Sequence, residues 1–147
     1  MSPERPIILL VEDDEDDVFL MERALSRTGL EVPMHIAANG QEAIEYLSGS
    51  GRYGDRAAHP LPALIFLDLK LPFVNGFEVL EWMRSQPALT EIQVLVLTSS
   101  PEDRDRQRAQ SLGVKAYLVK PPTPQMLLEA FRFFQPPATA LEKAGSS

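Results

Sequence analysis

Four short apolar runs punctuate the chain: IILLV (7–11), LIFL (64–67), VLVL (94–97) and AYLV (116–119). Each is strand-length, with turn or polar residues beyond it. Continuous apolar runs of this kind suit parallel strands covered on both faces. MHIAA (34–38) reads as a fifth, weaker strand. Between the runs the spacing turns helical. Residues 15–28 place Val18, Met21, Ala24 and Leu25 on one face, and Gly29 supplies a stop. Residues 41–48 carry Ala43, Ile44 and Leu47, and residues 77–84 carry Phe77, Leu80 and Met83. Residues 102–112 are very polar, with Ala109 and Leu112 as anchors. Residues 125–134 place Leu127, Ala130, Phe131 and Phe134 at i, i+3, i+4 and i+7, the clearest amphipathic pattern in the chain. Five β-then-α alternations predict a doubly wound α/β domain, with right-handed crossovers placing helices on both faces of a parallel sheet.

Two stretches depart from this rhythm. SGSGRYGDRAAHPLP (48–62) is a long Gly/Pro-rich connection before the third strand; it is either a functional loop or a tolerated insertion. PPATALEKAGSS (136–147) reads as a flexible tail, leaving residues 1–135 as one domain. A length of 147 residues suits that division. Hydrophobic residues make up 44% of the chain, which excludes a disordered protein. The absence of cysteine excludes disulfides and thiolate metal sites and fits a reducing, cytoplasmic setting. MSPERP is followed by no signal-peptide pattern, and no apolar run approaches the roughly 20 residues that span a membrane. A net charge of −7 argues against nucleic acid as a partner, since such binding needs basic surface to displace counterions. No DNA-binding domain is expected after residue 135, so a transcription factor is not expected either.

The charge is not evenly spread. EDDEDD (12–17) sets six acids between two apolar segments. In open parallel sheets, sites form beyond the carboxyl ends of the strands. Glu12 and Asp13 follow the first strand, and Asp68 follows the third. Thr98, Ser99 and Ser100 follow the fourth, and Lys120 with Pro121 follows the fifth. Each has a plain role open to it. Asp14, Glu15, Asp16 and Asp17 suit the positive end of the first helix. Asp68 suits a turn, Thr98 or Ser100 a helix cap, and Lys120 a solvated surface. Together those roles fit poorly. Two carboxylates about 4 Å apart repel by roughly 4 kcal/mol at an effective dielectric of 20. Three need cations. Lys120 supplies one charge, and a hard divalent ion such as Mg²⁺, which prefers carboxylate oxygen, supplies two. No histidine or cysteine stands at these strand ends to favour zinc.

A carboxylate can act as a nucleophile and form an acyl phosphate, and phosphoryl transfer needs mainly positioning and neutralised oxygen charge. Mg²⁺ on Glu12, Asp13 and Asp68 would take one phosphoryl oxygen, Lys120 a second, and the Thr98 hydroxyl with nearby N–H groups the third. Every member of the set then has a use.

ILLVEDD (8–14), LIFLDLKLPFVNGFEVL (64–80), VLVLTSS (94–100) and GVKAYLVKP (113–121) together resemble the receiver domain of two-component response regulators, over roughly residues 5–134. Four motifs in the right order at the right strand ends make the resemblance specific. It implies a flavodoxin-like five-stranded sheet of order 2-1-3-4-5. It implies Asp68 as phosphoacceptor and Glu12 with Asp13 as the acidic metal pair, the backbone carbonyl of Lys70 completing the Mg²⁺ ligands. It makes Thr98 the phosphate-sensing hydroxyl, Lys120 the phosphate-binding ammonium, and Lys120–Pro121 a cis bond. The remaining acids of residues 14–17 are expected to face water at the helix start. Such a protein accepts phosphate from a sensor histidine kinase and is not itself an enzyme beyond its own phosphorylation and dephosphorylation.

In that family the hydroxyl moves inward on phosphorylation and an aromatic on the fifth strand follows, here Tyr117. Its plain alternative is a half-buried strand residue. The switch would alter the surface of residues 101–134, whose EDRDRQR (102–108) is either a solvated helix face or one half of a two-fold dimer interface. Phe19 points off the core arc of its helix, as a docking point for the kinase or as an ordinary exposed aromatic. The long loop, the EDDEDDV start and the expected lack of an output domain are similar to small regulators paired with bacterial phytochromes. Two residues depart from the family pattern. Lys70 follows the phosphoacceptor by two positions, where it would pair with an acid or hinder the hydrolytic water. Ser99 stands where a smaller residue is usual. Hydrolases with an aspartate nucleophile carry a second acid at the position of Lys70, and nucleotide-binding modules want glycines where EDDEDD stands. A receiver-like interaction module that works without phosphorylation is the alternative that the residues leave open.

Overall fold

The computed structural model describes residues 7–133. Five strands form one all-parallel sheet in the order β2-β1-β3-β4-β5, as the resemblance implies. They are β1 (Ile8–Val11), β2 (Met34–Ala37), β3 (Leu64–Leu67), β4 (Gln93–Thr98) and β5 (Ala116–Val119). The intervening helices are α1 (Glu15–Arg27), α2 (Gly40–Ser48), α3 (Gly76–Arg84), α4 (Asp103–Ser111) and α5 (Pro124–Ala130).

Alternation along the three central strands sorts their side chains into two cores. Leu9, Val11, Ile65, Leu67, Val94 and Val96 face one side, against Tyr46 and Leu47 of α2, Val79 and Leu80 of α3 and Ala109 of α4. Ile8, Leu10, Leu64, Phe66, Leu95 and Leu97 face the other, against Met21 and Leu25 of α1 and Leu127 of α5. Both faces of these strands are dry, which is why they read as unbroken apolar runs. β2 is an edge strand with Ile36 exposed, and its signal is weaker for that reason.

The last helix differs from its expected span. α5 ends at Ala130, and Phe131–Phe133 tighten into a 3-10 turn, with the Phe131 N–H donating to the carbonyls of Leu127 and Glu129. Such tightening is common where a helix runs out of partners. Phe131 stays in the core; Phe134 and the tail of 136–147 lie outside the described residues.

The connection at 48–62 is ordered by its own side chains. A 3-10 turn at Gly51–Tyr53 buries Tyr53. The Arg56 guanidinium donates to the carbonyls of Tyr46 (2.8 Å), Leu47 (2.9 Å) and His59 (3.1 Å). It thereby serves carbonyls of the last turn of α2, where a cation is also favoured by the helix dipole. The Tyr46 hydroxyl donates to the Pro60 carbonyl at 2.8 Å and meets His35 Nδ1 at 3.0 Å. Burial pushes that hydroxyl's pKa up to about 12.

Candidate functional site

Register brings the first two acids together. Val11 of β1 pairs with Leu67 of β3, so Glu12 and Asp68 leave adjacent strands at the same level. The Asp68 N–H donates to the Val11 carbonyl at 3.2 Å, and the Glu12 N–H to Ala37 at 3.0 Å. On the other side Thr98 pairs with Val119, and the Lys120 N–H donates to the Thr98 carbonyl at 2.8 Å. The Lys120–Pro121 bond is cis, as expected.

Lys120 Nζ reaches three carboxylates: Glu12 Oε1 at 2.7 Å, Asp17 Oδ2 at 2.7 Å and Asp68 Oδ2 at 2.9 Å. Asp17 corrects the expectation that residues 14–17 merely face water. Asp14 does cap α1, accepting from the N–H groups of Asp16 and Asp17, and Glu15 and Asp16 are exposed. Asp17, however, turns into the pocket. Its position four residues before Met21 and seven before Ala24 puts it on the buried stripe of α1, and that spacing was the signal in the sequence.

Burial costs a lone ammonium its charge, but the hydrogen bonds to Asp17, Glu12 and Asp68 outweigh it and hold Lys120 well above the ordinary lysine range. Glu12 is 3% exposed. Its burial, with the Asp68 charge adding to it, pushes its carboxyl up to about 7 against the pull of Lys120. One ammonium thus does not neutralise the cluster. Glu12, Asp13 and Asp68 each offer an oxygen, all within 4.8 Å of one another, with Asp13 on the exposed side. An oxygen-only donor set with surplus negative charge fits Mg²⁺ or Mn²⁺.

The loop after β3 fixes Asp68. Asp68 Oδ1 accepts the Lys70 N–H at 3.0 Å, so the plain turn role is present alongside the pocket role. Gly76 packs on the same backbone: a Cβ there would lie 2.4 Å from the Asp68 carbonyl oxygen. Asn75 and Glu78 form a capping box that starts α3 at this point.

Thr98 is fully buried, and its Oγ1 accepts the Ser100 N–H at a long 3.4 Å. Neither Thr98 nor Ser100 is the N-cap of α4; that is Glu102, without a side-chain cap bond. The Ser100 hydroxyl instead donates to Asp105 Oδ2 at 2.8 Å, a contact the sequence reading missed. Tyr117 is 8% exposed, more buried than a half-buried strand residue, and its hydroxyl donates to the Ser100 carbonyl at 2.7 Å. The Arg106 guanidinium lies over its ring, 4.6 Å from the centroid. The Lys70 side chain is exposed and pairs with Asp105 at 3.9 Å. Ser99 is exposed. Phe19 stands 59% exposed on α1 and is not part of the pocket's polar network.

A family model for the response regulator receiver domain matches residues 8–132. The probable methanogenesis regulatory protein FilR2 of Methanothrix harundinacea is 40% identical over 115 residues, 78% of this chain and 72% of FilR2. Response regulator Rcp1 of Synechocystis is 37% identical over 114 residues, 78% of this chain and 76% of Rcp1. The solved Mn²⁺-bound form of response regulator Rcp1 has a TM-score of 0.72 at 33% identity, covering 88% of this chain and 91% of that one. The bacteriophytochrome response regulator AtBRR has a TM-score of 0.80 at 40% identity, covering 90% and 94%. The family match runs from the first strand past the last helix, through every residue of the pocket, and this chain belongs to the response regulator receiver domain family of two-component signalling.

Proposed function

We propose that this chain accepts a phosphoryl group on Asp68 from a sensor histidine kinase, in a Mg²⁺-dependent step, and passes the change to the surface of α4, β5 and α5. The observation that carries this reading is the placement of Asp68 Oδ2 2.9 Å from Lys120 Nζ, inside a carboxylate cluster that is under-neutralised. Glu12, Asp13, Asp68 and the Lys70 carbonyl would hold the ion. Bound Mg²⁺ supplies charge neutralisation at a phosphoryl oxygen.

An Asp68 carboxylate oxygen attacks phosphorus, an O–P bond forms, and the N–P bond to the kinase imidazole breaks as that ring leaves. Lys120 leaves Asp68 to meet one phosphoryl oxygen and keeps Glu12 and Asp17 as its counter-charges. The Thr98 hydroxyl exchanges its long bond from Ser100 for a better one to another phosphoryl oxygen. Thr98 and Tyr117 both bond the Ser100 backbone, so a shift of the hydroxyl reaches Tyr117 through one residue.

Phe19, exposed on the helix that carries Asp17, is the proposed kinase contact. The similarity to AtBRR and Rcp1 points to a phytochrome-type kinase. The α4–β5–α5 surface is the proposed place for a homodimer. On α4, Arg106 and Arg108 already serve Tyr117, Phe77 and Glu81 within the chain, which leaves Asp103, Arg104 and Gln107, with Glu102 at the N-cap, to face outward.

The test is intact-protein mass after incubation with acetyl phosphate, with and without Mg²⁺, for wild type and Asp68→Asn. One phosphoryl adduct that requires both Mg²⁺ and Asp68 is expected. No adduct, together with no response of Tyr117 to beryllofluoride, would favour an interaction module that works unphosphorylated.

A further inference from the structure

Asp105 Oδ2, in the first turn of α4, gathers two groups from opposite sides of the pocket. One is the Lys70 ammonium at 3.9 Å, from the loop that follows Asp68. The other is the Ser100 hydroxyl at 2.8 Å, from the loop that follows Thr98. The Asp105 side chain is 15% exposed, whereas that of Lys70 is 60% exposed. The carboxylate is therefore the fixed partner and the lysine the movable one. Among the described residues Asp105 is the one ion-pair partner of Lys70. The Lys70 backbone is itself anchored, its N–H donating to Asp68 Oδ1 at 3.0 Å. A four-carbon stem rooted beside the phosphoacceptor can swing toward α4 or across the pocket mouth; the Asp105 charge selects the first.

We propose that Asp105 is a positioning residue that holds Lys70 off the mouth of the phosphorylation pocket and thereby shortens the lifetime of the aspartyl phosphate. The inference rests on the reading of Asp68 as phosphoacceptor. Phosphorylation puts about two negative charges where the Asp68 carboxylate carried one, and farther out toward the pocket mouth, so the ammonium is offered a second anion. Loss of the phosphoryl group is hydrolysis: a water oxygen bonds to phosphorus, the P–O bond to Asp68 breaks, Asp68 regains its carboxylate, and the water's proton passes to the departing phosphate or to solvent. That water approaches from the open side of the pocket. An ammonium drawn over the phosphoryl oxygens occupies the approach; one held by Asp105 does not. The Ser100 hydroxyl fixes the carboxylate that does the holding.

The experiment measures the half-life of the phosphoryl adduct by intact mass, after donor removal, in wild type, Asp105→Asn, Lys70→Met and the double variant. Asp105→Asn keeps an oxygen for the Ser100 hydroxyl and loses the charge. The expected result is a half-life about two- to fivefold longer in Asp105→Asn, the size of effect that a largely exposed ion pair carries. In the Lys70→Met background the same substitution is expected to change nothing. A merely structural role for Asp105 would alter the half-life in both backgrounds, and that outcome would overturn the proposal. So would an unchanged or shorter half-life in Asp105→Asn. Asp105→Glu, which keeps the charge, should hold the wild-type value. An adduct absent from wild type, together with no response of Tyr117 to beryllofluoride, would instead overturn the phosphoacceptor reading, and this inference with it.

Discussion

Lys120 Nζ lies 2.7 Å from Asp17 Oδ2, a contact between residues 103 positions apart. Helix α1 therefore contributes a charge to the pocket as well as covering the sheet. Asp17→Asn should destabilise the Mg²⁺-free protein by about 1.5 kcal/mol, the low end for a hydrogen bond to a charged group because Asp17 is partly exposed. Urea unfolding in EDTA measures this. The adduct at Asp68 should still form, because Glu12 and Asp68 keep their places on Lys120. A midpoint equal to wild type would mean that Lys120 is already satisfied without Asp17.

Gly76 is required by its neighbour rather than by its own backbone angle. A methyl group there would lie 2.7 Å from Leu69 Cα as well as against the Asp68 carbonyl. Gly76→Ala should cost about 1–3 kcal/mol, as overpacking does. It should also lower the rate of adduct formation, since the backbone that must move carries Asp68. Paired urea titration and acetyl phosphate kinetics test both effects. A variant as stable as wild type would show that the loop yields at no cost.

Phe73, in the same loop, has φ +64° and is 92% exposed. A bulky side chain in the left-handed region is strained by roughly 1 kcal/mol, and this one has almost no packing to lose. Asparagine tolerates the conformation. Phe73→Asn should raise stability by up to about 1 kcal/mol, read as a higher denaturant midpoint at unchanged slope. A lower midpoint would reveal a contact for Phe73 on the loop.

The edge beside β2 carries both histidines of the chain. Burial, with the neighbouring His59 adding to it, holds His35 below the ordinary histidine pKa of 6.5. Its neutral form is favoured by the fold. The stability it contributes is complete above pH 6.5 and is lost as pH falls through 6.5 toward the depressed folded value. Tyr46 and His59 are the groups that face it. The thermal midpoint should therefore drop between pH 7.5 and 5.5 by more in wild type than in His35→Gln. Equal drops in the two proteins would assign the acid sensitivity elsewhere.

Phe19→Ala removes an aromatic with 59% of its surface exposed, so its effect on folding should be within about 0.5 kcal/mol. Phosphoryl transfer from the cognate kinase should slow, and labelling by acetyl phosphate should not. Equal rates with the kinase for both proteins would remove Phe19 from the docking surface.

Much of this molecule is written locally. Ile8–Val11, Leu64–Leu67 and Val94–Leu97 are apolar at every position because both sheet faces are covered, and the parallel fold follows from that. Glu12, Asp13, Asp68, Thr98 and Lys120 are legible because each stands within two positions of the end of its strand; Asp17, on α1, does not. α5 was less legible: its apolar spacing continues past Ala130, but the backbone tightens there and Phe131 reaches the same core from a 3-10 turn.

By itself the sequence determined the order of elements, the two-sided burial of the strands, and the acids, hydroxyl and lysine at the carboxyl edge. These depend on period and adjacency, which a chain carries in its own order. Only the tertiary structure decided the partners. Asp17 meets Lys120, Ser100 and Lys70 meet Asp105, and Arg56 closes the end of α2. Each of these contacts depends on which helix face, strand register or loop path brings a side chain within about 3–4 Å of another. A one-dimensional pattern tells which way a residue points, and the packed fold supplies what it meets there.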